Sequence, residues 1–279
     1  MANTKKRRDI EVYENYWKFT AAHLDITGTK FNNCLNIIVL FIDKNMHALK
    51  ENADNGDFAD SELYKQLQQQ IVEISGFKGT DATLSARKVI NQFVKIGYIY
   101  PLLVGYHPLV KSFIKETNKE KKEIIFSKIF YENSSLASDV TLDNRGLKHV
   151  NFLLKTLDKN GSLNKNDIMA LMVTDISNYR AGYLTREQLD MQHQYAIVSE
   201  FDERKYNQIA HLIGYLKRFV DLKYDKKEER FWFADDPQIA DKDFDESFTR
   251  DGVKHRIYKD ELKEESKAIY GEPVCYLDK

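Results

Sequence analysis

The chain has 279 residues, 42 % hydrophobic and 30 % charged, with sixteen Tyr and sixteen Phe; this length and aromatic content exclude a disordered chain and allow two or three modules. Only four Pro and twelve Gly argue against a sandwich or barrel of many short strands, and for long helices joined by few turns. The formal net charge is −1 and the pI near 6.7, so the overall balance does not by itself point to a nucleic-acid partner. That average hides an asymmetry. From Lys226 onward, 11 Lys or Arg stand against 15 Asp or Glu, which leaves residues 1–225 at +3: a mildly basic body precedes an acidic region. Cys34 and Cys275 are the only cysteines, too few and too far apart for a disulfide framework, and a reducing cytoplasm is the expected home. The N-terminus lacks the apolar stretch of a signal peptide, and the best apolar run, "CLNIIVLFI", is too short to cross a bilayer, so no membrane partner is expected.

In chain order, residues 9–25 place Ile10, Tyr13, Trp17 and Ala21 at helical spacing, and "NNCLNIIVLFIDKNMHALKEN" follows as a more buried helix with Cys34 in its core. Asp60-Ser61 caps a helix through "ELYKQLQQQIVEIS", which "GFKGTDAT" ends. The next helix, in "LSARKVINQFVKIGYIYP", has Leu84, Val89, Ile90, Phe93 and Val94 on one side, with Arg87, Lys88, Asn91, Gln92 and Lys95 expected mostly on the other. It should pass at Gly97 into extended structure up to Pro101. Residues 107–133 read as lysine-rich helix broken near Thr117-Asn118. Then come a helix ending at Lys159-Asn160-Gly161, a one-residue strand at Leu163, a helix capped by Asn164 or Asn166, and a further helix in "YRAGYLTREQLDMQ". Asp202 is expected to cap a helix with Tyr206, Ile209, Leu212, Ile213 and Leu216 inside and Lys205, Asn207, Gln208 and His211 more exposed. That helix leads into a hairpin, "FVDLKYD", "KKEE", "RFWFA", whose alternation and turn composition mark two strands. Leu163 should pair with it.

Helices followed by a hairpin is the winged-helix order. The expected fold is therefore mainly α with small β-hairpin wings, in two winged-helix-like (helix-turn-helix) modules around residues 60–105 and 146–234. Residues 1–105 would hold the N-terminal helices and the first module, 106–145 a helical linker, 146–234 the second module and 235–279 an acidic linker. Arg204-Lys205, Asn207-Gln208 and Gly214-Tyr215 echo Arg87-Lys88, Asn91-Gln92 and Gly97-Tyr98 across a one-residue gap, a hint of internal duplication.

Arg and Lys contact phosphates or read guanine, and Asn and Gln pair in bidentate fashion with adenine in the major groove. The candidate DNA-binding residues are Arg87, Lys88, Asn91, Gln92 and Lys95 in the first module, and Arg204, Lys205, Asn207, Gln208 and His211 in the second. Lys5-Lys6-Arg7-Arg8 would be a basic arm, and Lys119, Lys121, Lys122, Lys128 and Lys155 sources of salt-sensitive affinity. A metal-dependent nuclease needs an Asp ahead of a D/E-x-K; Asp221-Leu222-Lys223 with Asp202 upstream has that form but falls on the hairpin. Neither C-x-x-C nor H-x-x-x-H occurs, nor a Walker, dinucleotide-binding or G-x-S-x-G motif. No catalytic residue and no cofactor is assigned to the chain.

At "RKVINQFVKIGYIYP", "FSKIFYENSS", "KHVNFLLKTLDKNGSLNKNDIMALMVTDIS", "GYLTREQLD" and "ERKYNQIAHLIGYLK" the sequence resembles the N-terminal recognition region of type II restriction endonucleases with an HNH-type nuclease domain. The layout also resembles the tandem winged-helix recognition domains of restriction enzymes that cut outside their sites. The likeness covers roughly residues 80–279. It implies sequence-specific binding of double-stranded DNA, a possible homodimer, and Mg²⁺ or another divalent metal for the nuclease. In such proteins the segment resembling "HRIYKDELKEESKAIYGEPVCYL" leads into the HNH domain, which this sequence lacks; a recognition fragment of a longer enzyme is the expectation. Asp235, Asp236, Asp241, Asp243, Asp245 and Glu246 would form a hinge kept off DNA by like charge. The rival readings are a plasmid replication initiator with two winged helices, a helical protein-interaction scaffold, and a self-contained nuclease.

Overall fold

Helical periodicity sets most of the architecture in a computed structural model, which describes residues 16–19, 24–55, 61–137, 147–235 and 237–240, and the backbone of 244–250 and 253–258. The helices are α1 (Thr29–Asp54), α2 (Glu62–Ser75), α3 (Ala82–Lys95), α4 (Val110–Lys115), α5 (Lys119–Tyr131), α6 (His149–Asn160), α7 (Lys165–Met172), α8 (Arg186–Val198) and α9 (Phe201–Leu216). Two strands of a small sheet, β2 (Leu222–Asp225) and β3 (Arg230–Phe233), form the expected hairpin, and β1 (Leu163–Asn164) joins it. The sheet is antiparallel in the order β1-β3-β2, with Leu163 opposite Phe231. The chain is thus mainly helical with a small sheet, as its few turn residues implied. None of the described helices is long and apolar enough to cross a membrane.

The first half packs α1 against α2 and α3. Phe31, Leu35, Ile38 and Ile42 recur at helical spacing on α1 and are fully buried. Phe31 meets the rings of Phe93, Tyr98 and Phe113 edge-on at 4.6, 5.7 and 5.9 Å, the arrangement favoured by aromatic quadrupoles. Cys34 is buried as expected, 3.1 Å from the Ser75 hydroxyl, and burial pushes its thiol pKa up. The Ser61 hydroxyl caps α2 by accepting the Tyr64 N–H; Asp60 lies outside the described residues.

Beyond α3 the expected wing is reduced to a single bridge between Ile99 and Tyr106, around a 3-10 turn at Pro101–Leu103. Pro101 has no N–H to give a ladder, and Leu102 and Leu103 take left-handed backbone angles that turn the chain back at once. Gly97 is required here: its φ is 83°, and a Cβ would stand 3.2 Å from the Ile129 carbonyl and 3.3 Å from Asn133.

The stretch expected as a helical linker instead builds the core. It breaks where foreseen, with Asn118 capping α5. Phe126 and Phe130 are fully buried and lie 5.9 and 6.2 Å from the Tyr215 ring of α9. The Ser127 hydroxyl accepts the Val220 N–H, so α5 is bonded directly to the segment before the hairpin.

Residues 16–19, expected as helix, are not helical and act as a strap. Trp17 donates its N–H to the Met172 carbonyl and its indole N–H to the Thr174 carbonyl. Lys18 donates to Leu136, and Phe19 to the side-chain oxygen of Gln208. Further along, the Leu24 N–H and carbonyl both bond the Gln92 amide, which also donates to the Tyr215 hydroxyl at 2.7 Å. Ile10, Tyr13 and Ala21 lie outside the described residues. In the region expected as an acidic linker, β4 (Phe244–Arg250) and β5 (Val253–Tyr258) pair antiparallel with a bulge between Asp245 and Phe248. They flank Asp251-Gly252, a strong hairpin signal. Asp236, Asp241 and Asp243 are outside the described residues.

Two bases, the buried His149 and the half-buried Lys95, lie near the strap. The His149 ring stands edge-on to Trp17 at 5.0 Å, and burial pushes its pKa down to about 3 against an ordinary 6.5, with smaller opposed effects from Lys95 and Asp175. The Lys95 amine donates to the Ser135 carbonyl, and burial, helped by the charge of Lys18, lowers its pKa to about 7 from 10.5. Each group binds a proton more weakly folded than unfolded. Stability should therefore rise with pH through the acid range up to about 6.5, as His149 need not be charged, and again between about 7 and 9, as Lys95 loses its proton; above about 9 the buried Cys34 thiol, which keeps its proton in the fold, opposes the rise. Thermal melts across that range test this; Lys95→Met should abolish the alkaline rise and leave the acid one. Gln92→Leu, which leaves two backbone groups of Leu24 and the Tyr215 hydroxyl unpaired, should cost about 3 kcal/mol in urea denaturation, and a loss below about 1 kcal/mol would contradict the role given to the amide.

Candidate nucleic-acid interface

The local sequence of α9 explains where its side chains point. Phe201, Ile209, Leu212 and Leu216 are buried. The helix begins at Phe201 behind Glu200, whose φ is 53°, so Asp202 is not its cap; Asp202 lies in the first turn, 3.9 Å from Lys165. Tyr206, expected inside, is 57 % exposed, and Tyr215 takes the inner place. The outward stripe runs Glu203, Asn207, Ala210, Gly214 and Lys217, all exposed, at intervals of three and four residues that keep one face.

The ten candidate residues divide sharply. Asn207 and Arg204 face out, Arg204 bonded at 3.0 Å to Glu200 one turn earlier. Lys205 is half-buried with its ammonium 4.6 Å above the Tyr16 ring. Gln208, expected more exposed, is turned in to hold Phe19 of the strap, and His211 is half-buried beside Leu24–Ile26. On α3, Arg87 and Lys88 are exposed, Arg87 beside the Tyr64 hydroxyl, while Asn91 is half-buried. Gln92 is 1 % exposed and fully engaged, and Lys95 is turned in toward Ser135. Both depart from the outer face expected for them. Gln92 falls three residues after Val89 and four before Ile96, both buried, so its angular position belongs to the apolar arc.

Among the lysines of α5, Lys119 and Lys121 are exposed, but Lys122 is 8 % exposed, donates to Asn32 and lies 4.7 Å over Phe113. Lys128 and Lys155 are half-buried. Lys217, absent from the sequence expectations, is exposed with its ammonium 4.0 Å from the Tyr224 ring of β2; its place ten residues after Asn207 was the available signal. The hairpin tip adds exposed Lys226 and Lys227 beside Glu228 and Glu229. Lys5–Arg8 lie outside the described residues.

The Asp221-Leu222-Lys223 triplet does not assemble a metal site. The Asp221 carboxylate is 1 % exposed and accepts the backbone N–H groups of Gln238, Ile239 and Ala240 at 2.7, 2.8 and 2.7 Å. Lys223 instead reaches Asp235 at 2.7 Å on the surface. Among the described residues no group of three or more His, Cys, Asp or Glu is placed to hold a metal ion. Asp221 anchors the chain that follows the hairpin. Asp221→Ala should cost about 3 kcal/mol in chemical denaturation, and Lys223→Ala less than about 0.5 kcal/mol, because the first leaves buried donors unpaired and the second breaks an exposed pair.

No family model matches the chain, and neither a curated protein nor a solved structure matches it.

Proposed function

We propose that the chain recognises a short sequence in double-stranded DNA through the outer face of α9, as the recognition region of a type II restriction endonuclease acting with an HNH-type nuclease. The observation that carries this reading is the α9 stripe: Asn207 stands between Arg204 and Lys217, and the two residues after it on the same face, Ala210 and Gly214, are small. A helix whose face lacks bulk between its polar groups can lie deep in a major groove, where Asn pairs with adenine and flanking cations meet phosphate. Glu203 on the same face repels phosphate, which leaves those contacts to Arg204 and Lys217.

The element order α6, β1, α7, α8, α9, β2, β3 supports the reading, because in a winged helix the recognition helix directly precedes the hairpin and the first strand adds to its edge. Arg87 and Lys88, exposed on α3, supply phosphate contacts rather than base reading, since Gln92 is not available to a groove. A second reading, a protein-interaction scaffold, draws on a different surface: Met191, Tyr195, Ile197 and Val198 of α8 are 45–83 % exposed, an apolar patch of the kind that marks contact surfaces.

Selection of bound duplexes from a random pool separates the two. One short enriched site, bound with an affinity that falls steeply with salt, is expected. Asn207→Ala should weaken binding to that site by about 1–3 kcal/mol and relax one base position, whereas Arg204→Ala should lower all affinities and reduce the salt slope by about one unit. No enrichment together with no duplex binding at low salt would overturn the DNA reading.

A further inference from the structure

A groove of about 280 Å³ opens between the strap and the C-terminal half of α9. Leu24 and Ile26 line it from the strap, and Ala210, His211, Gly214 and Tyr215 from α9. Gly214 has a reason beyond packing: a Cβ there would meet nothing within 4 Å. The helix would be more stable with almost any other residue at that position, and the missing side chain is part of the open space.

One end of the groove is polar. The Arg218 guanidinium lies 3.1 Å from Asp25 Oδ1 and 3.9 Å from Glu123. Asp25 Oδ1 also accepts the Thr27 N–H and hydroxyl, both at 3.2 Å. A carboxylate acceptor thus stands directly beside guanidinium donors. A free anion would be repelled by Asp25 and Glu123, and the site offers a ligand one acceptor beside one donor. A neutral planar edge that carries a donor next to an acceptor satisfies both, and such an edge belongs to a nucleobase. A side-chain amide presents the same pair but fills little of the volume, and leaves the apolar walls wet.

We propose that this groove binds a nucleobase, its ring between the strap and the bare side of α9 and its hydrogen-bonding edge on the Asp25–Arg218 pair. The base belongs either to a free nucleotide or to an unpaired position of a nucleic-acid strand. The proposal is separate from duplex reading by Asn207 and does not need it.

Calorimetric titration of the full chain with nucleoside monophosphates at millimolar concentration tests it. Saturable binding is expected for at least one base, with acetamide binding far more weakly. Gly214→Leu, which occupies the groove without removing a hydrogen bond, should weaken that binding by about tenfold or more. Arg218→Lys, which keeps the charge but loses the planar fork, should weaken it as well and serves as the second variant if Gly214→Leu misfolds. Competition by single-stranded oligonucleotides would assign the base to a strand, and its absence would assign a free nucleotide. No saturable binding, equal binding of acetamide, or binding unchanged in a folded Gly214→Leu protein would overturn the proposal. Duplex selection is read independently, so its failure leaves this result interpretable.

Discussion

Gln92 holds both backbone groups of Leu24 and the hydroxyl of Tyr215 from a position closed to solvent. A buried amide is costly unless its donors and acceptor are met, and here three bonds to two distant parts of the chain meet them. The consequence reaches across the molecule. Tyr215 belongs to α9 and Gln92 to α3, so helices far apart in sequence are fixed against each other and against the strap by one side chain. Its position also sets the surroundings of Tyr215, whose burial pushes the phenol pKa up to about 12.

The strap adds further polar contacts between the halves. Non-helical backbone packed against a core must place its N–H and carbonyl groups somewhere, and here Trp17, Lys18, Phe19 and Leu24 use the carbonyls of Leu136 and Met172 and the side chains of Gln92 and Gln208. Two glutamines from the two helices that share a sequence pattern thus bind the same segment. The shared pattern is better explained by this structural duty than by two copies of a base-reading surface. Each helix spends its glutamine on the interior, and what remains outside is a shorter set, Arg87 and Lys88 on one and Arg204, Asn207 and Lys217 on the other.

That division explains why α9 supports a function and α3 contributes less. The outer face of α9 retains Asn207, Ala210, Gly214 and Lys217 in line with Glu203, with Arg204 exposed beside them. The face of α3 retains cations and a half-buried Asn91, which can hold a phosphate but read little. The groove beside Gly214 adds a second chemistry on the same helix, made by the strap passing alongside it. Helix α5 stabilises this arrangement from beneath through Phe126, Phe130 and Ser127.

The sequence by itself determined the helical class, the break at Thr117-Asn118, a cap at Asn164 or Asn166 and the hairpin at 222–233, because these follow from short-range spacing, capping and turn chemistry; the pairing of Leu163 with that hairpin followed from the order of the elements. It also placed Cys34 and Phe41 in an apolar run and Phe93 on an apolar helix side, all of which are core. It misplaced Gln92, Lys95, Gln208 and Tyr206, since residue type was allowed to decide the face where angular position lay within or beside the apolar arc. Only the tertiary structure decided that Trp17 and Phe19 belong to a strap, that the expected linker is core, and that Asp221 holds backbone rather than metal. Each of these depends on partners tens to more than a hundred residues away or on the path between elements, and a buried polar side chain reads like an exposed one until the group that satisfies it is known.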